Sequence, residues 1–155
     1  RRSMAAIKYK NRREYLDFYS QAMVSRYGKW LSHIQPDALV PVPVHPARRR
    51  KRGFNQAEEL AERISLLTGI PVRADLLIRI RKTLPQKELN PAERLNNLRL
   101  AFAVSDFYKA HPEQIPRRAD DIYTTGSTME ACTRVLKAAG VKQVYIMSIC
   151  IGKGR

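Results

Sequence analysis

Apolar side chains recur every three or four positions in three parts of the chain, the spacing that places them on one face of a helix. Each part ends at a turn residue or a glycine, and a glycine readily adopts the left-handed conformation that closes a helix. The pattern predicts three helices, over Asn11–Ile34, from residue 53 to about Thr68, and over Ser127–Ala139. The first completes an N-terminal helical segment, residues 1–34.

Short runs rich in valine, isoleucine and leucine lie between the helices and predict strands. These runs are Ala38–Val42, Leu76–Arg81, Ala101–Val104 and Gln143–Ile149. Strands that alternate with helices predict a single α/β domain, residues 1–155, in which helices cover both faces of a parallel sheet. Right-handed crossovers then bring the ends of several strands to one edge, where ligands bind.

Three connections carry little periodicity. Prolines at positions 41, 43 and 46 are unfavourable inside a sheet, so the first strand is expected to pass into a rigid loop over residues 43–52. Residues 82–97 are polar and contain two prolines, and residues 107–118 have the composition of a loop.

Composition narrows the class of protein. Of the 155 residues, 44% are hydrophobic, which indicates a globular chain rather than a disordered one. The 29 Lys and Arg against 14 Asp and Glu give a net charge of +15, which favours nucleic acid, anionic lipid or a phosphorylated substrate as partner.

Two cysteines and three scattered histidines predict no zinc site. The longest apolar run, near Val144–Ile151, is too short to span a membrane, and no secretory signal is visible, so a cytoplasmic location is expected.

The segment Asp120–Thr128 carries the sharpest chemical signal. Residues Thr124–Thr128 form a small, hydroxyl-rich turn directly before a predicted helix, where free backbone N–H groups bind phosphate. Gly126 permits the backbone to close around an anion. The carboxylates of Asp120 and Asp121 repel phosphate but suit sugar hydroxyls or a nearby metal. The segment therefore predicts a phosphorylated sugar, with its phosphate in the turn and its hydroxyls facing the aspartates.

Each half of this segment also has an ordinary structural interpretation. Residues Thr124–Thr128 alone would be a helix N-cap, and Asp120 with Asp121 a solvated turn. Their combination before a helix and then a strand favours the ligand site. A P-loop is excluded because the motif lacks a Gly-Lys-Ser/Thr ending.

Several segments together resemble the ComF/GntX family, the competence protein ComFC group of the type I phosphoribosyltransferase superfamily. They are Val40–Pro46, Lys51–Ala57, Arg81–Lys87, Arg94 with Asn97, and Asp120–Thr128. The resemblance covers nearly the whole chain from Lys8 onward. It implies a type I phosphoribosyltransferase-like α/β fold with a mobile hood, phosphoribosyl pyrophosphate as ligand and Mg²⁺ as cofactor.

The resemblance assigns the ribose and its phosphate to the segment already singled out. Asp120 and Asp121 would be catalytic and would hold the ribose hydroxyls. Mg²⁺ would be held through substrate and water near them, with no direct protein ligand. The remaining contacts to phosphoribosyl pyrophosphate would come from Tyr123, Thr124, Thr125, Gly126, Ser127 and Thr128.

The pyrophosphate would lie against the loop after the first strand, where rigid prolines and positive charge also fit on physical grounds. The residues concerned are Val44, His45, Arg48, Arg49 and Arg52. Residues 82–97 would form the hood, with contacts from Lys82, Gln86 and Lys87. A solvated basic loop and a purely structural connection are the alternatives for these two segments.

Two departures from the family pattern stand out. The four-cysteine zinc-binding segment with which family members often begin is absent from this sequence. The residues before the aspartates, Ile115–Ala119, make a poor central strand, which suggests that a few apolar residues are missing between about Lys109 and Asp120.

Two functions are compatible with this reading of the sequence. The first is a Mg²⁺-dependent phosphoribosyltransferase linked to DNA uptake. The second is a cytoplasmic protein of natural transformation that uses the fold chiefly to bind single-stranded DNA together with the competence machinery. Phosphoribosyl pyrophosphate would regulate DNA contact if the two were combined, and a sensor without an acceptor is a third alternative. The acceptor and the oligomeric state are left open.

Overall fold

The computed structural model describes residues 14–80, 90–125 and 129–150. Six helices and five strands alternate along these residues. In chain order they are α1 (Glu14–Ile34), β1 (Ala38–Pro41), α2 (Pro46–Arg52), α3 (Gln56–Thr68), β2 (Leu77–Arg79), α4 (Pro91–Arg99), β3 (Phe102–Val104), α5 (Asp106–Ala110), β4 (Arg118–Thr125), α6 (Met129–Ala138) and β5 (Gln143–Cys150). A 3₁₀ turn, Pro112–Gln114, precedes β4.

Three strands form a parallel sheet in the order β1-β4-β5, with β4 in the centre. Leu39 lies opposite Asp120, and Asp120 opposite Tyr145, which sets the register across all three strands. The predicted α/β class and parallel sheet are confirmed. The other two strands differ from the prediction, because β2 and β3 pair antiparallel in a separate two-stranded ribbon.

Apolar side chains cover both faces of the sheet, as the sequence predicted. On one face, α1 and α3 pack against the strands in a cluster that includes Leu39 and Ile122. On the other face, α6 and the β2–β3 ribbon pack against Val40 and Tyr123. Side chains alternate between the faces of a strand, so each strand contributes to both clusters.

Helix α2 occupies the segment for which a rigid loop was predicted. Pro46 fits the first helical position because its missing N–H would have no partner there. His45 Nδ1 accepts a hydrogen bond from the Ala47 N–H at 3.2 Å and caps the helix. Gly53, at φ 81°, ends the helix and donates its N–H to the Arg49 carbonyl. This seven-residue helix, about two turns long, was missed because the capping role of His45 is uncommon.

Local capping also explains α4, which begins in a segment that was predicted to be a loop. Asn90 and Glu93 form a reciprocal capping box, in which each side chain accepts from the other's backbone N–H, at 2.8 and 2.9 Å. This box starts α4 inside the segment expected to be the hood. Helix α5 and the 3₁₀ turn occupy part of residues 107–118, the other predicted loop.

The central strand β4 forms from the residues present, although residues 115–119 were expected to make a poor central strand. Pro116 precedes the first paired residue, Arg118, so its lack of an N–H does not interrupt the sheet. Ala119, Ile122 and Tyr123 are at most 1% exposed. Burial on both faces and pairing on both sides outweigh the polar composition of the strand.

Asn55 joins the end of β1 to the start of α3. Its Oδ1 accepts from the Ala57 N–H at 3.0 Å, and its Nδ2 donates to the Val42 carbonyl at 3.0 Å. The side chain is 4% exposed, so neither bond is readily replaced by water. Asn55 therefore fixes where the segment after β1 runs.

Replacing Asn55 by Ala is expected to lower the free energy of unfolding by about 2 kcal/mol, because a helix cap and a buried tie to Val42 are lost together. The exposed cap Asn90 is the matched control, and N90A should cost about 1 kcal/mol or less. Urea unfolding of the two variants measures the difference. Equal losses would mean that the Val42 bond adds nothing.

Candidate functional site

The segments that follow β1 and β4 lie at the same edge of the sheet, because the two strands run parallel and pair side by side. After β1, residues 42–45 lead into the basic helix α2. After β4, three residues lead into α6, which begins at Met129. These three, Gly126, Ser127 and Thr128, lie outside the described residues, as do the side chains of Thr124 and Thr125.

Asp120 and Asp121 are the third and fourth residues of β4 and lie inside the strand. Both are fully buried. Successive side chains of a strand point to opposite faces, so the two carboxyl groups do not sit side by side. Asp120 shares its face with Ile122 and the α1–α3 cluster, whereas Asp121 shares its face with Tyr123 and the α6 cluster.

Three of the four carboxyl oxygens have no hydrogen-bond partner among the described residues: both oxygens of Asp120 and Oδ1 of Asp121. Such groups are rare in folded proteins and costly when ionised. Burial raises the pKa of Asp120 to about 7. Burial also raises the pKa of Asp121 well above its ordinary value, and the hydrogen bond from Tyr123 opposes this shift only in part.

Tyr123 links Asp121 to the start of α6. Its hydroxyl lies 3.2 Å from Asp121 Oδ2 and 3.0 Å from the Met129 carbonyl oxygen, so its single proton is shared between two acceptors. The side chain is 1% exposed. Tyr123 was expected to touch the ligand; the structure instead places its side chain beneath the surface, where it supports Asp121. Cys132 lies in the same cluster, and burial raises the pKa of its thiol.

The five residues expected to bind pyrophosphate have different surroundings. His45 is the cap of α2. Arg49 forms a two-point ion pair with Glu58 at the start of α3, at 2.8 and 3.4 Å. Arg48 is exposed, Val44 is half-buried, and the side chain of Arg52 lies outside the described set. Of these residues, the exposed Arg48 offers the clearest positive charge for an anion.

Arg79, on β2, is a half-buried cation that the sequence analysis passed over. Its guanidinium lies 5.2 Å from the centre of the Phe102 ring. Burial lowers its pKa, and the positive charge of Arg48 lowers it further. Arg48 and Arg79 belong to separate segments, yet the charge of Arg48 acts on Arg79. The only signal in the sequence was an arginine within an otherwise apolar strand.

The residues expected in the hood, Lys82, Gln86 and Lys87, lie outside the described residues. Within the described part of the chain, no group of three or more histidine, cysteine or acidic side chains is arranged to hold a metal ion. None of the described helices combines the length and the apolar character needed to cross a bilayer.

Comparison with known proteins identifies the family. No protein-family model matches the chain. Competence protein F of Haemophilus influenzae is 31% identical over 114 residues, which make up 74% of this chain and 50% of that protein. DNA utilization protein YhgH of Escherichia coli (strain K12) is 30% identical over 115 residues, 74% of this chain and 49% of that protein. Competence protein ComFC of Bacillus subtilis is 32% identical over 134 residues, 81% of this chain and 52% of that protein.

The chain belongs to the ComF family. It spans about half the length of the curated relatives it matches. Membership agrees with the resemblance seen in the sequence motifs. The buried pair of aspartates in this ComF-family chain is the feature that most needs a functional explanation, because three of its four carboxyl oxygens have no hydrogen-bond partner among the described residues.

Replacing Asp120 by Asn is expected to change how stability depends on pH. Between about pH 4 and about pH 7 the folded chain holds a proton on Asp120 that the unfolded chain has released. The free energy of unfolding of the unmodified protein therefore falls as pH rises through this window, by up to about 4 kcal/mol. The D120N variant lacks this component, so it should be the more stable protein at about pH 8.

Urea unfolding at about pH 4 and about pH 8 measures this effect. Asp106 provides the control, because its side chain is 99% exposed and D106N should leave the pH profile unchanged. Parallel pH profiles for D120N and the unmodified protein would show that Asp120 titrates normally.

Proposed function

We propose that this chain binds phosphoribosyl pyrophosphate at the edge where β1 and β4 end and acts as a Mg²⁺-dependent phosphoribosyltransferase in DNA uptake. One observation carries the proposal. A buried carboxyl group, Asp121, is joined through the Tyr123 hydroxyl to Met129, the first residue of α6, which directly follows residues 124–128. A charge-bearing group and a helix start are thus held together at fixed geometry, which suits a sugar and its phosphate.

The electrostatics support the same ligand. The segment after β1 supplies positive charge through Arg48, beside the half-buried Arg79. Phosphoribosyl pyrophosphate carries anionic groups at both ends of a ribose, so it would meet the basic segment at one end and the hydroxyl-rich turn at the other. The ribose hydroxyls lie between these anionic groups. They would donate hydrogen bonds to the unpartnered oxygens of Asp120 and Asp121 once the strand end opens to the ligand.

The donor set fits a magnesium ion held mainly by substrate and water. Asp120 and Asp121 offer hard carboxylate oxygens, but no third acidic or histidine ligand joins them among the described residues. When bound, Mg²⁺ would neutralise negative charge on the pyrophosphate. Because the two aspartates face opposite sides of β4, each would act from its own side, on the metal through water or on the ribose directly.

In the transfer reaction the bond from ribose carbon 1 to pyrophosphate breaks and a bond to the acceptor nucleophile forms. Positive charge on the ribose would be stabilised by the nearby carboxylates, and the leaving anion by Arg48. Asp121 is the proposed base for the acceptor's proton, since burial has already raised its pKa well above that of a free aspartate.

Calorimetric titration with phosphoribosyl pyrophosphate and Mg²⁺ tests the binding site. D121N is expected to weaken binding at least about tenfold, because a charged hydrogen-bond acceptor is lost while the amide oxygen can still accept from Tyr123. The exposed D106N serves as control and should bind normally. Absence of binding to the unmodified protein, or normal binding by D121N, would refute the proposed site.

Pyrophosphate release in the presence of a panel of nucleobases and amines tests the transferase step separately. Turnover with one acceptor and its loss in D121N are expected. If the ligand binds but no acceptor supports release, the protein binds phosphoribosyl pyrophosphate without transferring it.

Single-stranded DNA binding is a second candidate function, favoured by the charge of the chain and by the relatives. The net charge is +15, and Arg48, Arg50 and Lys51 are exposed on α2. The matched proteins are named for competence and for DNA utilization. Binding to phosphates by such residues should weaken steeply as salt concentration rises.

A further inference from the structure

A second basic site lies at the opposite edge of the sheet, where β1, β4 and β5 begin. We call it the start-edge pocket; it is lined by Asp37, Arg117, Arg118, Lys142 and Gln143 and encloses about 560 Å³. Strand β4 has eight residues, so about 25 Å separates its two ends. The pocket is therefore distinct from the segments that follow β1 and β4.

Positive charge dominates the start-edge pocket, with three cations and one carboxylate. Among the described residues, no carboxylate lies within ion-pair distance, 4.0 Å, of the Arg117, Arg118 or Lys142 side chains. Elsewhere on the surface Lys109 and Arg134 each have such a partner, Asp106 and Glu130. Uncompensated cations that converge on a concave surface raise the local concentration of anions.

Backbone hydrogen bonds hold the pocket in shape. The Lys142 and Gln143 N–H groups both donate to the Arg117 carbonyl, at 2.9 and 3.1 Å. The Asp37 N–H donates to the Arg118 carbonyl at 2.8 Å, and Asp37 Oδ2 accepts from the Arg118 N–H at 2.9 Å. Three chain segments are thereby locked together, so the backbone positions from which the three cations extend are fixed relative to one another.

Arg118 is further fixed at the end of α1. Its Nη1 lies 3.4 Å from the Ile34 carbonyl, one of the final carbonyls of that helix. The Asp37 carboxylate accepts from the Arg118 N–H and offsets only one of the three positive charges. The site thus combines the Arg118 guanidinium, bonded to the Ile34 carbonyl, with the exposed side chains of Arg117, Lys142 and Gln143. Together these carry the donors that bind phosphate oxygens.

We propose that the start-edge pocket binds phosphate groups of single-stranded nucleic acid. A flexible strand can enter a concave pocket and place successive phosphates against Arg117 and Lys142, whereas a flat anionic bilayer meets protruding residues first. Relatives named for DNA utilization make a nucleic acid the favoured polyanion. This inference rests on the second candidate function, single-stranded DNA binding, and is independent of the phosphoribosyl pyrophosphate site.

The test compares the full chain with R117Q/K142Q, which removes two cations and keeps Arg118 on the Ile34 carbonyl. Binding to a fluorescent oligothymidine is followed by anisotropy over a range of salt concentrations. The slope of log affinity against log salt should become shallower by about 1.4, because each single-strand phosphate contact contributes roughly 0.7. Affinity at about 0.1 M salt should fall about tenfold.

The charge-matched control is K109Q/R134Q, which removes two exposed cations from α5 and α6. Its affinity should stay within about threefold of the unmodified protein. Circular dichroism and thermal unfolding establish that both variants fold. Equal weakening of the two variants would mean that only total charge matters, and would overturn the assignment.

Two further binding measurements distinguish nucleic acid from inorganic phosphate and from a membrane as the ligand of the pocket. Oligothymidine should compete for the pocket far better than inorganic phosphate alone, and phosphatidylserine vesicles should bind R117Q/K142Q as they bind the control. Loss of vesicle binding with unchanged oligothymidine binding would overturn the proposal in favour of a membrane. D121N should bind oligothymidine normally, so a failure of the phosphoribosyl pyrophosphate site would be seen separately.

Discussion

The alternation of side chains along β4 is the constraint on which the site depends. Because Asp120 and Asp121 are consecutive in a strand that is paired on both sides, each must enter one of the two apolar clusters. A sequence selected only for the stability of this fold would have apolar residues at both positions. We interpret the buried pair as a feature that destabilises the free protein. A bound ligand would reduce this destabilisation by donating hydrogen bonds to the oxygens that have no partners among the described residues.

The surrounding structure compensates for that cost and fixes where the ligand meets the protein. Apolar packing on both faces keeps β4 in place, with Leu39, Ile122 and Leu136 fully buried around it. Asn55 sets the path after β1, and Tyr123 ties Asp121 to α6. The two proposed sites therefore lie at opposite ends of the same parallel strands. The sugar-phosphate site is proposed where the strands end, and the nucleic-acid site where they begin.

The periodicity of apolar residues was enough to predict α1, α3, α6 and the parallel sheet. It failed where local side-chain caps decide the conformation, as at His45 for α2 and Asn90 for α4. It also missed β4, whose polar sequence becomes a central strand only through pairing on both sides. The aspartates were recognised as candidate site residues by residue type, but only the register of the strands reveals that they are buried and point in opposite directions. Arg79 became a candidate only once its packing against Phe102 was known.

The titration of the Asp120 carboxyl group by carbon-13 NMR tests the central claim most directly. We expect a midpoint near pH 7 in the free protein, because burial without a partner disfavours the ionised form. Addition of phosphoribosyl pyrophosphate with Mg²⁺ should lower the midpoint, since the ligand supplies hydrogen-bond donors and positive charge. A midpoint near pH 4 in the free protein, unchanged by the ligand, would contradict a buried carboxyl group held for ligand binding.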